Sequence, residues 1–184
     1  MRQALYTVRA VTCLFAFSCF CLPSIAHAED ALPDVVQAQV RAPLQKVGSG
    51  SYRKFGFTIY RATLWAPNGK WDAAKPYALA LRYTRSLSKE TLADSTIDNI
   101  HDENVADDVT FARWSAGIKR TMPAVEDGDV MIGVVNPGAE TVLYFNGNQI
   151  AKTGDQDLIR AFFNIWLGEG ADEDLKSELL GQPQ

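Results

Sequence analysis

Beyond residue 28 this sequence contains no cysteine, one histidine, no long apolar run and no excess of basic residues. Each shortage removes a class of function. All three cysteines (Cys13, Cys19 and Cys21) lie within the first 28 residues. The remainder can form no disulfide, and its stability must come from packing. With His27 in the same segment, His101 is the only imidazole left. A Cys/His metal site is thereby excluded, and a nucleophilic triad would have to be built on His101. That residue sits in His101-Asp102-Glu103-Asn104, which reads as a solvated acidic loop, and no acidic stretch has the spacing of a calcium loop. No metal and no cofactor are expected. Without Arg2 and Arg9 the chain carries 16 basic residues against 22 acidic ones, a net charge of −6. That balance speaks against nucleic acid as a partner and against general adhesion to anionic lipid surfaces.

What the first 28 residues do contain is an export signal. Arg2 and Arg9 give a positive start, Ala10 to Leu22 forms an apolar run, and Ala26-His27-Ala28 is a small-x-small cleavage site before Glu29-Asp30. The run is shorter than the roughly 20 residues that span a bilayer, and nothing after it resembles a stop-transfer segment. An uncleaved anchor, or a lipid on Cys19 or Cys21, is the weaker alternative. The expected product is one domain, residues 29–184, of 156 residues, released into the periplasm or medium with no stable membrane anchor. That length suits a single core.

The pattern after residue 28 predicts an arm with a short strand at Val35–Val40, then β structure from Leu44. Gly48-Ser49-Gly50 reads as a bend. Tyr52–Trp65 reads as a long strand pair or one bulged strand, with Phe57, Ile59, Arg61, Thr63 and Trp65 on one face and Thr58, Tyr60, Ala62 and Leu64 on the other. Tyr77–Thr84 is a further strand. Two helices follow, one capped by Ser88 and one by Asp107 or Asp108. Val130–Val135, Thr141–Phe145 and Gln149–Lys152 form a meander whose Asn146-Gly147 is the strongest hairpin signal in the chain. Asp155 caps a helix ending near Gly168, and Glu173–Leu180 is a last short one. The fold class is α+β: a sheet of about six strands with helices on one face.

Several segments resemble the chalcone isomerase-like family, and its bacterial, exported branch more than the plant enzymes. They are Gly48 to Trp65, Leu81-Arg82-Tyr83 leading into the Ser88 helix, Met122 to Asp129, the hairpin Tyr144 to Ile150, and the helix Ala161 to Gly168. The resemblance implies an open-faced β-sandwich: a large antiparallel sheet bent around helices, with an elongated apolar cleft between the layers. Plant members cyclise chalcones or bind fatty acids in that cleft.

The resemblance also implies which residues would act. Cyclisation needs a cation for the phenolate and hydroxyl donors for the ketone. The family's arginine falls at or beside Arg53, with Tyr52 in the simplest register. Its threonine falls on Tyr60, its catalytic tyrosine on Leu92, a lysine near Tyr83, and its asparagine on Asn99. A leucine cannot polarise a ketone, so no catalytic residue is assigned. An arginine with a tyrosine is the pair that fatty-acid-binding relatives use for a carboxylate. The candidate ligand-binding residues are therefore Arg53, Tyr60, Arg82, Tyr83 and Asn99, with Arg61 as an alternative cation. Arg53 and Tyr60 are seven apart and converge only across a turn or bulge, for which Gly56 is the candidate. The expected partner is a small apolar or lipid-like ligand such as a fatty acid. A lyase or isomerase acting on an enone, and an interaction protein with a closed cleft, are the competing functions. The oligomeric state is left open.

Overall fold

The turn-forming residues set the order of the sheet. The computed structural model describes residues 32–40, 42–103 and 105–182; the segment read as an export signal lies outside them. A one-turn helix α1 (Asp34–Gln37) precedes the strands β1 (Leu44–Lys54), β2 (Phe57–Pro67) and β3 (Tyr77–Tyr83). The helices α2 (Lys89–Asp102) and α3 (Asp108–Thr121) follow, then β4 (Val130–Val135), β5 (Thr141–Phe145) and β6 (Asn148–Thr153), and finally α4 (Gln156–Leu167) and α5 (Glu173–Leu179). The strands form one sheet in sequence order, every neighbouring pair antiparallel. This is the six-stranded α+β sheet the pattern predicts.

Each longer helix starts where a side chain satisfies its free amides. Ser88, Asp107, Asp155 and Asp172 accept from the backbone N–H of Thr91, Thr110, Leu158 and Leu175. The helices cover one face of the sheet. There Ala62, Leu64, Tyr77, Leu79, Leu81 and Tyr83 meet Trp114, Ile118, Phe163 and Trp166 in the larger core cluster. Gly133 on β4 makes that contact possible, because a Cβ there would lie 2.5 Å from the Phe163 ring.

Three expectations need correction. The arm is helical rather than extended at 34–37: Val36 and Val40, four apart, both turn inward against Trp65, Ala78, Ile132 and Val134 on the far face of the sheet. Gly48-Ser49-Gly50 is no bend but runs inside β1. The glycines are there because α5 crosses them, and a Cβ on Gly48 would strike the carbonyls of Glu178 and Leu179. His101 and Asp102 form the last turn of α2 rather than a loop, with the imidazole edge-on to Phe111 at 4.8 Å between centroids.

Candidate functional site

The hairpin β1–β2 decides which side chains enter the space between sheet and helices. Its two-residue turn, Phe55-Gly56, pairs Lys54 with Phe57 and Arg53 with Thr58. The next pair is Tyr52 with Tyr60, so Ile59 is an extra residue on β2. The bulge sits one step past the turn rather than at Gly56. Ile59 and Tyr60, although neighbours, both line the inner cleft, and the simple alternation along β2 fails there.

That cleft has a volume of about 380 Å³ and lies between β1–β3 on one side and α2 and α4 on the other. Its apolar wall includes Leu81, Leu87, Leu92, Met131, Ile165 and Trp166. Three tyrosines from three adjacent strands form its floor. Tyr52 stacks on Tyr60 with centroids 5.1 Å apart, and Tyr60 meets Tyr83 edge-on at 6.0 Å. The Tyr60 hydroxyl accepts a hydrogen bond of 2.9 Å from Trp166 Nε1, which leaves its own proton free to donate. Burial pushes the Tyr60 hydroxyl far above its ordinary pKa, only partly offset by the Trp166 hydrogen bond, and burial raises Tyr83 as well. Both remain neutral donors over the ordinary pH range. Lys54 is the one cation and Asp172 the one carboxylate among the described lining residues of this cleft, and Lys54 Nζ lies 5.9 Å from the Phe55 ring centroid.

A second, apolar cavity of about 330 Å³ lies further along the same side, between α3, α4 and β5–β6. Met122 and Phe162 line both spaces, so these two side chains form the wall between them. At its edge Asp155 caps α4 and accepts 2.9 Å from Trp114 Nε1, with Arg113 at 3.3 Å.

The five candidate residues divide between two faces. Tyr60, Tyr83 and Asn99 all line the inner cleft, Asn99 at its rim with its amide donating to the Ser95 carbonyl. Arg53 and Arg82 do not. They line a separate groove on the outer face of the sheet, together with Arg61, Thr63 and Trp65. The reason is register: Arg53 follows Tyr52, which faces in, and Arg82 precedes Tyr83, which faces in. The cation and hydroxyl donor expected to converge as Arg53 and Tyr60 are thus replaced geometrically by Lys54, Tyr52 and Tyr60. Lys54 was missed because a Phe-Gly turn is not one of the common hairpin signals; placing that turn would have put Lys54 two residues from Tyr52 and on its face. Leu92, where the plant enzymes' tyrosine would fall, contributes only a hydrocarbon side chain. Among the described residues no three His, Cys, Asp or Glu side chains come together as metal ligands, and no helix is long and apolar enough to cross a membrane.

Comparison with known proteins agrees with this architecture. The sequence model of the chalcone isomerase-like family matches residues 26–181. No curated protein matches by sequence. Among solved structures, a fatty-acid binding protein of Arabidopsis thaliana is similar in fold, with a TM-score of 0.60 over 83% of this chain and 90% of that one, at 11% identity.

Proposed function

The chain belongs to the chalcone isomerase-like family, and on that premise we propose that it holds an elongated apolar acid, such as a fatty acid, without transforming it. The observation that carries this is the inner cleft: an apolar channel with neutral hydroxyl donors, lined by one cation, Lys54, and one carboxylate, Asp172. Such a site suits a hydrocarbon chain ending in a carboxylate. The carboxylate meets Lys54 and the hydroxyls of Tyr52 and Tyr60, while Tyr83 and Asn99 shape the floor and rim. The hydrocarbon runs along Leu81, Met131 and Ile165 toward Phe162. The two cavities are each near the lower end of the range for ligand pockets, and together they fall well inside it. A long acyl chain passes from the first to the second where Met122 and Phe162 swing aside. The fold neighbour from Arabidopsis thaliana, a fatty-acid binding protein, supports this choice of ligand.

The competing enzymatic function needs a polarising donor where Leu92 stands, and the cleft wall supplies none at that place. The competing closed-cleft interaction protein needs a filled interface, whereas this one is open. The signal-like segment with its Ala26-His27-Ala28 site supports export of the domain to the periplasm or the medium as part of the same proposal.

Titration with a fluorescent long-chain fatty acid tests the proposal. Saturable uptake is expected, with transfer from Trp166 to the bound probe, and Lys54→Ala weakens it while Arg53→Ala does not. Uptake that Arg53→Ala abolishes and Lys54→Ala leaves intact would place the acid on the wrong face of the sheet.

A further inference from the structure

The end of the β1–β2 hairpin is built in a way that the inner cleft does not require. Both turn residues have positive φ, 53° for Phe55 and 80° for Gly56. A glycine adopts that geometry freely, but a bulky aromatic does so only against steric cost. Asparagine and aspartate fill the first place in such turns far more readily. Here the strained place holds a phenylalanine that is 89% exposed, and Phe57 across the turn is 57% exposed. Neither is recruited into a core, so the strain is spent on presenting rings to the outside.

The rings are set among cations. Lys54 lies over the Phe55 ring at 5.9 Å and Arg85 over the Phe57 ring at 4.3 Å. Arg53 is the next residue along β1. Behind it on the outer face, Arg61 and Arg82 stand directly opposite each other on β2 and β3, with Glu178 the one carboxylate lining the same groove and Arg82 donating 3.3 Å to the Gly128 carbonyl. Among the described residues none of these five cations forms an ion pair with a carboxylate. The turn after Val125 brings Glu126, Asp127 and Asp129 to this end of the sheet. Asp129 is already occupied, accepting from the Glu126 amide and from Asn146 Nδ2. Glu178 lines the outer groove and Asp172 the inner cleft, so this end as a whole is not net positive; the cations set against the exposed rings are Lys54 and Arg85, with Arg53 next to Lys54 in β1.

The position is also informative. Lys54, Ile59 and Leu87 line the inner cleft, and Thr84 is tied to Thr58 and Ile59 by hydrogen bonds of 2.8 and 3.0 Å. The exposed phenylalanines therefore flank residues that line that cleft.

We infer that the β1–β2 tip is a reversible docking site for an anionic lipid surface, with Phe55 and Phe57 entering the headgroup–acyl boundary and Arg53, Lys54 and Arg85 meeting lipid phosphates. Two apolar side chains with a collar of cations have the chemistry of interfacial binding. The contact sets this end of the cleft against the membrane, so an acyl chain enters or leaves without crossing water. That purpose rests on the ligand-holding function proposed above; the docking itself does not.

Cosedimentation of the purified protein with vesicles tests the inference. One set is phosphatidylcholine alone, and the other equal parts phosphatidylcholine and phosphatidylglycerol. Association with the mixed vesicles is expected, weakening as salt is added. Phe55→Ser with Phe57→Ser should lower the partition about tenfold or more, and Arg53→Gln with Arg85→Gln should bring it to the level of phosphatidylcholine alone. Val109→Ser is the control, removing another exposed apolar side chain (81% exposed) at the far end of the α2–α3 hairpin, and should change nothing. All variants should still take up a fluorescent fatty acid offered without vesicles. Docking is refuted if the protein ignores the mixed vesicles, if Val109→Ser matches the tip variant, or if the tip variant instead abolishes self-association in sedimentation velocity. Vesicle binding with no uptake of the free fatty acid leaves docking standing and removes the cleft function instead.

Discussion

Tyr60 is the residue on which the inner cleft turns. It takes a hydrogen bond from Trp166, stacks on Tyr52 and keeps its proton for a ligand. Tyr60→Phe leaves the indole N–H of Trp166 without its acceptor inside the domain, and the expected loss is about 1–3 kcal/mol of stability, read by urea denaturation. The same change removes one donor to a bound carboxylate. Tyr52→Phe, whose hydroxyl takes no part in the Trp166 bond, should weaken fatty-acid uptake with a smaller effect on stability. Comparing the two in the same titration separates the structural share of Tyr60 from its share in binding. At this scale the sequence was legible for residue type and misleading for direction. The alternation of β2 correctly sets Tyr60 apart from Arg61, but one inserted residue, Ile59, cannot be seen from periodicity, and it determines that Tyr52 rather than Ser51 faces Tyr60.

The elements were far more legible, because their boundaries are written in caps and turns. Ser88, Asp107, Asp155 and Asp172 each satisfy an amide at a helix start, and Asn146-Gly147 closes the β5–β6 hairpin with both residues at positive φ. The failures occurred where tertiary contact overrides local pattern. Gly48 and Gly50 look like a bend but are small because α5 lies on them, and Val36 and Val40 look like strand residues but share one side of a helical turn. The cap of α4 makes a pH-dependent prediction. Burial alone would raise the Asp155 carboxyl, but the Trp114 indole, the Leu158 amide and nearby Arg113 hold it below the usual aspartate value. A depressed carboxyl contributes stability above its unfolded value, about pH 4, and loses it as pH falls through the lower folded value. Asp155→Asn should therefore be less stable than the parent near neutrality, with the difference shrinking below about pH 4, measured by denaturation at a series of pH values. Packing between elements gives another test. Gly133→Ala forces a methyl toward Phe163 and should cost about 1–3 kcal/mol, whereas Phe162→Ala opens the wall between the two cavities and should shift uptake toward longer acyl chains.

At the scale of the whole molecule, one sheet separates two chemistries. The inner face is an aromatic and aliphatic cleft under helices, and the outer face carries the N-terminal arm at one end and the arginines at the other. A low overall charge balance hides this division: −6 for residues 29–184 says nothing of where Arg53, Lys54, Arg61, Arg82 and Arg85 lie across β1–β3 and the turn after it. It predicts weak binding to generic anionic matrices together with selective association of the β1–β2 end with anionic bilayers. Residues 29–184 carry no cysteine, so this domain keeps its cleft by packing alone; reducing agent should leave the melting temperature of residues 29–184 unchanged. The most direct measurement is mass spectrometry of an organic extract of the protein purified after export, followed by reloading of the stripped protein. Long-chain acids in near-stoichiometric amount, displaced by an added fatty acid and reduced by Lys54→Ala, are the predicted result. A protein that emerges empty and takes up no fatty acid after stripping would contradict a ligand-holding cleft.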